Sequence, residues 1–272
     1  MVYDKFEEII FNGNRLSFPV IGRENNIKKF NSDELFKFHS SNYSTDGLLI
    51  IASGNVRHDE LIKMAEKYIV QRKSSRRRSR ERFNTKKVKD AFIEKDVQQV
   101  HTIIGRATYG YNDKRRIPVR FLSALLGEGS SSRLFLAVRE KLGITYQINS
   151  FLNSYYDTSA FGVYFSTNLK QYSKVISMLY KEFEKLKYEL VRERELKKVK
   201  EYLKGGMLLS MESTTNRMMR IANSILYYDR VIPLEEYLDK IEKITAVDVQ
   251  KTANELFNEN KLVKVILKSD AY

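Results

Sequence analysis

Hydrophobic residues recur at helical spacing in two places in the first part of the chain, and a capping pattern marks a third helix between them. In residues 4–11 the apolar side chains fall on one face of a short predicted helix. Asn31 followed by Glu34 has the spacing of a capping box and predicts a helix that ends near Asn42. Another helix, amphipathic in pattern, is predicted over residues 58–71. Each helix with such a pattern has one apolar face that must be buried against something.

Residues 47–54, with the sequence GLLIIASG, form an apolar run of strand length that glycine closes. Near-continuous apolarity is typical of a strand buried on both faces. A single strand with flanking helices cannot form a sheet by itself. The first part of the chain is therefore expected to be an incomplete unit that takes strands from upstream sequence or from another chain.

Strands and helices alternate in a mixed order in the second part of the chain, after residue 89. The strands are predicted at 91–97, 100–108, 144–152, 158–166 and 262–267, and the helices at 115–126, 133–142, 169–187, 191–211, 213–228, 234–243 and 246–258. Thr245, with Asp248 three residues on, predicts the start of the last helix. This order predicts an α+β fold, a sandwich of helices and sheet in two units.

A basic stretch separates the two parts. Residues 72–89 contain ten Lys or Arg and one Glu, within a chain whose net charge is +14. The stretch has no hydrophobic periodicity, so we interpret it as a linker between units 1–71 and 90–272. Binding to RNA, DNA or an anionic membrane is the alternative. Because Phe83 is its one aromatic residue, the stretch offers no base-stacking platform, and a solvated linker is favoured.

Candidate metal ligands are few. The chain has no cysteine, which excludes disulfides and thiolate metal sites. Its three histidines are His39, His58 and His101, and no two lie within four residues of each other. The first residues show no basic region followed by an apolar run, so no signal peptide is expected, and no apolar stretch is long enough for a membrane span. The sequence does not indicate the cell compartment.

Several motifs occur in an order that resembles one protein family. A predicted helix ending at Tyr43 and a strand are followed by the Gly-Asn-Val turn at 54–56. The sequence LGEGSSSRLF at 126–135 precedes REKLGITY at 139–146, and MESTTNRM follows at 211–218. Together these motifs resemble the insulinase/pitrilysin/mitochondrial-processing-peptidase family of zinc metallopeptidases. The resemblance runs along nearly the whole chain.

The resemblance implies a two-domain fold of the mitochondrial-processing-peptidase type, with mixed, mostly antiparallel sheets flanked by helices. Residues 1–71 would be the C-terminal part of the first domain, and 90–272 a noncatalytic, substrate-binding second domain. The family holds zinc with the motif His-x-x-Glu-His on a first-domain helix. The spacing puts two imidazoles on one face of that helix, beside a carboxylate that takes a proton from the zinc-bound water. This motif is missing here. The chain is expected to bind no metal and to be inactive alone, whereas the complete enzyme would use zinc.

Arg139 and Tyr146 correspond, by the resemblance, to an arginine and a tyrosine that the second domain directs toward the zinc site. A guanidinium and a phenol can donate hydrogen bonds to a substrate carbonyl and to the oxyanion that forms on it. The alternative is structural: Arg139 would cap or salt-bridge a helix, and Tyr146 would pack on a sheet.

Two further elements are candidates for binding substrate. Gly127, Gly129 and Ser131 could contact the substrate backbone, or they could simply form a tight turn between helices. Phe161 and Val163 share one face of a strand expected at an exposed sheet edge. Relatives bind substrate as an added strand, which uses main-chain hydrogen bonds and gives low sequence selectivity.

The expected function is therefore that of the C-terminal, substrate-binding part of a zinc-dependent peptidase that cleaves extended peptides. Its partners would be a peptide substrate and a zinc-bearing N-terminal domain or separate subunit. Homodimers and heterodimers both stay open, and nucleic acid is not favoured as a partner. The alternative functions are a noncatalytic scaffold subunit of a peptidase-like complex and a binder of nucleic acid or anionic surfaces through residues 72–89.

Overall fold

The computed structural model describes residues 1–72 and 81–269, which divide into two compact units. The described residues of unit 1 are 1–18, 82–206 and 233–269, and those of unit 2 are 19–72, 81 and 207–232. The first helix therefore groups with the second part of the chain and not with the other residues of the expected domain 1–71. Residues 73–80 of the expected linker lie outside the described residues.

Ten helices and five strands occur in the described residues, together with short 3-10 turns and one π-helical segment. The helices are α1 Val2–Ile10, α2 Glu24–Ile27, α3 Ser32–Asn42, α4 His58–Tyr68, α5 Arg116–Gly127, α6 Leu169–Tyr188, α7 Glu193–Ser210, α8 Thr214–Tyr228, α9 Leu234–Glu242 and α10 Ala246–Leu256. The strands are β1 Ala91–Glu94, β2 Val100–Tyr109, β3 Gln147–Ser154, β4 Thr158–Thr167 and β5 Val263–Lys268. The π-helical segment is Phe135–Glu140.

Unit 1 is built on one five-stranded sheet with the order β1-β5-β2-β4-β3. β1 pairs in parallel with β5, and every other pairing is antiparallel. Helices flank this sheet. The predicted α+β fold with a mixed, mostly antiparallel sheet is therefore confirmed.

β4 is an interior strand, which corrects the expectation of a sheet edge at residues 161–165. It pairs with β2 on one side and β3 on the other, and all ten of its residues are buried. Alternating apolar residues such as Phe161 and Val163 indicate a buried face, but they do not reveal how many neighbours a strand has. The outer strand on this side of the sheet is β3.

Both faces of the sheet are covered. On one face Phe161, Phe183 and Phe257 join a large core cluster, and the rings of Phe183 and Phe257 stack with centroids 4.0 Å apart. On the other face Phe6 of α1 and Phe11, the residue directly after α1, join a second cluster. The sheet is therefore the middle layer of unit 1, which explains why α1 belongs to this unit.

Gly105 on β2 makes room for α1. A Cβ atom at this position would lie 2.9 Å from Cζ of Phe6 and 2.1 Å from the carbonyl oxygen of Phe161. Such distances are too short for any side chain larger than hydrogen. Glycine here allows close approach of a helix to the sheet surface.

The capping patterns read from the sequence form as expected. The side chain of Asn31 accepts a hydrogen bond from the backbone nitrogen of Glu34 at 2.9 Å, and Thr245 and Asp248 form the same reciprocal box at the start of α10. Each cap satisfies backbone N–H groups that have no partner within the helix. The predicted starts of α3 and α10 are therefore confirmed.

The strand predicted at residues 47–54 is wrong for this structure. Thr45–Gly47 forms a 3-10 turn, and the apolar residues after it have no strand pairing. Leu48 is 53% exposed and Ile50 is 44% exposed. A strand needs a neighbour for its backbone hydrogen bonds, and the described part of unit 2 contains no second strand that could be that neighbour.

Truncation of Phe183 should test the core of unit 1. Phe183→Ala removes a ring that is 1% exposed and should lower the free energy of unfolding by about 3–5 kcal/mol, as loss of a buried ring does. Urea unfolding followed by circular dichroism measures the change. Phe92→Ala is the control, because the ring of Phe92 is 65% exposed on the edge strand β1. Equal effects of the two variants would contradict the assigned core.

Candidate functional site

Residues 128–132 form a tight turn between α5 and the π-helical segment. Gly129 adopts φ +76°, a left-handed conformation that favours glycine. The hydroxyl of Ser132 donates a hydrogen bond to the carbonyl oxygen of Gly129 at 2.8 Å, while Ser131 is exposed. The geometry fits the tight-turn interpretation, and a contact of these residues with substrate stays a prediction.

Gly127 brings the end of α5 against β3. A Cβ atom here would lie 2.4 Å from the backbone nitrogen of Ser150. The hydroxyl of Ser150 in turn donates to the carbonyl oxygen of Ser123 on α5 at 2.6 Å. Gly127 is buried, so its role in this structure is close packing between helix and strand.

Glu128 ties the turn to α5. Its carboxylate accepts a hydrogen bond from the hydroxyl of Ser123 at 2.8 Å and another from the guanidinium of Arg120. The Arg120–Glu128 ion pair is partly buried, with 30% and 19% of the two side chains exposed. Charge-assisted bonds of this kind are stronger than neutral ones, and they hold the turn in one position.

Arg133, one residue after the turn, anchors it to α7 and α6. Its guanidinium makes two hydrogen bonds to Glu195, Nε–Oε1 at 2.8 Å and Nη2–Oε2 at 2.7 Å. The Oε2 atom of Glu182 lies 4.0 Å from Nη1 of Arg133. Burial acts to lower the pKa of Arg133, but hydrogen bonding to Glu195 and the nearby carboxylates outweigh it and raise that pKa. No sequence pattern indicates this anchor, since Arg133 and its partners are far apart in sequence.

Arg139 lies on the π-helical segment that follows. The backbone nitrogen of Lys141 donates to the carbonyl oxygen of Leu136 at 3.1 Å, a bond of the wider π type. The guanidinium of Arg139 lies 5.1 Å from the centre of the Phe135 ring, and the residue is exposed. No carboxylate pairs with it in the part of the chain that the structure describes. A π-helical turn is an uncommon element that is frequent at functional sites.

Tyr146 follows the π-helical segment and comes directly before β3. The chain reverses at Gly143, with φ +61°, and the backbone nitrogen of Tyr146 then donates to the carbonyl oxygen of Ser166 at 3.2 Å. The side chain of Tyr146 is 68% exposed, so it does not pack on the sheet. Arg139 and Tyr146 are thus exposed hydrogen-bond donors on a segment whose two ends are held by Arg133 and by the sheet.

Phe161 and Val163 are both fully buried in the core. Their side chains cannot contact a peptide without unfolding of the sheet, so the structure does not support them as substrate-binding residues. Residues at a free edge must come from an outer strand, and on this side that strand is β3.

The histidines do not form a metal site. His39 stacks on Tyr43 with ring centroids 4.9 Å apart, His58 begins α4, and Nδ1 of His101 lies 2.8 Å from the hydroxyl of Tyr164. Among residues 1–72 and 81–269, no three His, Asp or Glu side chains are grouped so that they could hold a metal ion. The described donors therefore do not fit zinc. Over the same residues, no helix has the length and apolar composition needed to cross a membrane.

The fold defines an α+β domain, a five-stranded sheet covered by helices, with no group of metal ligands among its described residues. The Peptidase M16 inactive domain matches residues 29–203, and the chain belongs to this family. This confirms the resemblance to the C-terminal part of these zinc peptidases.

Proteins similar in sequence over nearly the whole chain are named zinc proteases. A protein of Rickettsia bellii named an uncharacterized zinc protease is 29% identical over 269 residues, covering 98% of this chain and 64% of the relative. A protein of Bacillus subtilis, also named an uncharacterized zinc protease, is 27% identical, with 98% of this chain and 65% of the relative covered. The chain thus spans just under two thirds of the length of these relatives.

Solved structures show the same fold. A protease from Helicobacter pylori superimposes with a TM-score of 0.86 at 22% identity, covering 98% of this chain and 66% of the other. A chain of complex III from Candida albicans, solved with Inz-5 bound, superimposes with a TM-score of 0.84 at 18% identity and the same coverage.

Substitution of Gly127 should test the close packing at the turn. Gly127→Ala places a methyl group against the backbone of β3 and should lower the free energy of unfolding by about 1–3 kcal/mol, as overpacking does. Gly205→Ala is the matched control, because Gly205 lies within α7 with no atom within 4 Å of the added methyl group. That control should raise the free energy of unfolding by about 0.5–1 kcal/mol through helix propensity. Urea titration of both variants checks the opposite signs.

Proposed function

We propose that this chain is the substrate-contacting, C-terminal part of a zinc-dependent peptidase. The observation that carries the proposal is the anchored segment from Arg133 to β3, which presents Arg139 and Tyr146 as exposed donors. Membership of the M16 inactive-domain family and the zinc-protease names of the relatives support it.

Arg139 and Tyr146 would act on the carbonyl group of the scissile peptide bond. When water adds to the carbonyl carbon, negative charge develops on the oxygen. A guanidinium N–H and a phenol O–H placed near that oxygen stabilise the charge more than they stabilise the neutral substrate, typically by about 2.7–4 kcal/mol for one donor. Rigid attachment matters here, because donors held in place need no reorganisation during the reaction.

The zinc would be held by residues outside this chain. The histidines and carboxylates described above do not fit a zinc site, and the chain spans under two thirds of its zinc-protease relatives. We assign the metal and the general base to the remaining part of the peptidase, whether it is a domain or a separate subunit. This chain would then be inactive alone.

The free edge of β3 would hold the extended substrate. β3 is the outermost strand of the sheet and begins at the residue after Tyr146. A peptide added along this edge would use its main chain for binding, and its carbonyl groups would run close to the candidate donors. This replaces the interior strand β4 as the proposed strand-binding element and keeps the expectation of low sequence selectivity.

Loss of either donor should slow peptide cleavage. With the zinc-bearing part present, Arg139→Ala and Tyr146→Phe should each lower kcat by one to three orders of magnitude, the order expected when one oxyanion donor is removed. Cleavage of an unstructured, quenched fluorescent peptide measures the rates. Lys141→Ala is the control, since it removes an exposed cation from the same segment. Unchanged rates in both donor variants would remove these residues from the mechanism.

A noncatalytic scaffold is the second candidate. The similarity to a chain of complex III shows that this fold also occurs in a large assembly, although the similarity itself concerns the fold alone. A scaffold would bind its partner subunit without promoting cleavage. The two functions are separated by the same assay: a complex that forms but cleaves no unstructured peptide favours the scaffold.

A further inference from the structure

The division between the two compact units falls inside one continuous helix. α7 runs from Glu193 to Ser210, but unit 1 ends at Gly206 within it. Residues 207–232, which hold the last turn of α7 and all of α8, belong to unit 2. A bend in α7 at this division would let the chain after it move while the chain before it stays in place.

Two adjacent glycines lie at the division. Gly205 and Gly206 are helical, and α7 continues after them to Ser210. Glycine weakens the interior of a helix because it loses more backbone freedom on folding than any other residue. Sharp bends in helices occur at a small set of places, and pairs of small residues are one of them.

Packing does not explain either glycine. A Cβ atom added at Gly205 or Gly206 would have no atom of the described residues within 4 Å, and neither glycine has a positive φ. Gly105 and Gly127 differ in this respect, because each leaves room for a neighbouring element. The pair in α7 therefore has neither of the usual structural causes for glycine, close approach or left-handed backbone. Its remaining effect is to make the helix easier to bend.

The part of α7 before the glycines is fixed. Glu195 accepts both hydrogen bonds from the guanidinium of Arg133, and Val199 and Leu203 are buried in the core of unit 1. Leu203 is the last buried residue of α7. After the glycines, Leu209 is 67% exposed. The burial that holds the helix in place therefore stops directly before the pair.

Residues 207–232 have hydrogen bonds of their own at both ends of α8. Near the start of α8 the guanidinium of Arg217 donates to the carbonyl oxygen of Met211, in the turn after α7. Near its end the hydroxyl of Ser224 accepts a hydrogen bond from the backbone nitrogen of Ile232 at 2.6 Å. These bonds tie α8 to the chain that enters it and to the chain that leaves it, so residues 207–232 can move as one body.

We propose that α7 is a hinge that bends at Gly205 and Gly206, and that residues 207–232 move on it as one arm. A hinge of this kind concentrates a change of φ and ψ in a few residues. The bend lies about one helical turn after Tyr202, whose ring is 3.5 Å from where a Cβ atom on Gly129 would be. The fixed part of α7 thus contacts the turn at 128–132, and the arm begins directly after it. The bend requires neither zinc nor substrate.

Spin labels on α7 measure the bend in the full chain. The chain has no cysteine, so Arg194→Cys and Leu209→Cys, at two exposed positions, create the only labelling sites. In a straight helix these two Cα atoms are about 22 Å apart, at 1.5 Å per residue. Double electron–electron resonance should give a broad distance distribution with both glycines present. The distribution should narrow to one peak when Gly205→Ala and Gly206→Ala are combined.

Two controls isolate the glycine pair. Lys197→Ala changes an exposed residue in the fixed part of α7 and should leave the distribution broad. A second label pair, Lys181→Cys on α6 with Arg194→Cys on α7, lies entirely in unit 1. That pair should give a narrow distribution with or without the two alanines.

Hydrogen exchange provides a second measurement without labels. In an α-helix the N–H groups of residues 207–210 donate to the carbonyl groups of residues 203–206, so these bonds span the glycine pair. The double alanine variant should slow exchange at 207–210 by about 5–30-fold, as expected for two glycine-to-alanine changes within a helix. Exchange at residues 199–203 should stay unchanged.

Three results would overturn the hinge. A narrow distribution between residues 194 and 209 in the unchanged chain would show that α7 is straight and rigid. A broad distribution that the two alanines leave unchanged would place the motion elsewhere. Equal slowing of exchange at 199–203 and 207–210 would indicate general stabilisation of the helix and no local bend.

Discussion

The backbone hydrogen bonds of a β-strand must be satisfied by neighbours, and this requirement separates the two units of the chain. In unit 1, β4 lies between β2 and β3, so its backbone is paired on both edges and its side chains are buried on both faces. In unit 2, residues 47–54 have a similarly apolar sequence but no neighbouring strand in the described structure. They are exposed or only partly buried, and they have no strand pairing.

The rigid sheet of unit 1 also determines what the candidate site can do. The turn at 128–132 is held by Glu128 and by the Arg133–Glu195 pair, while the other end of the segment joins β3. Between these anchors Arg139 and Tyr146 extend into solvent rather than into the core. Exposed donors on a fixed support suit the stabilisation of charge on a bound substrate better than they suit packing.

Short-range patterns were predicted well and long-range pairings were not. The capping boxes of α3 and α10 involve residues three positions apart, so the sequence alone shows them. The anchor of Arg133 on Glu195 joins residues that only the packing of α7 brings together. For the same reason Phe161 was assigned to a sheet edge: its alternation reveals a buried face, whereas the position of β4 within the sheet depends on the order of all five strands.

The sequence by itself determined the α-helices other than the four-residue α2, and it determined the class of fold. It also showed the membership of a peptidase-like family and the lack of a His-x-x-Glu-His motif, because each depends on local spacing or on residues that are simply present or missing. The tertiary structure decided that α1 covers the sheet of unit 1, that β3 rather than β4 is the outer strand, and that residues 48–53 are left without strand pairing. These features depend on which elements pack or pair with each other. That is determined by the burial of apolar surface and the pairing of strands over the whole chain.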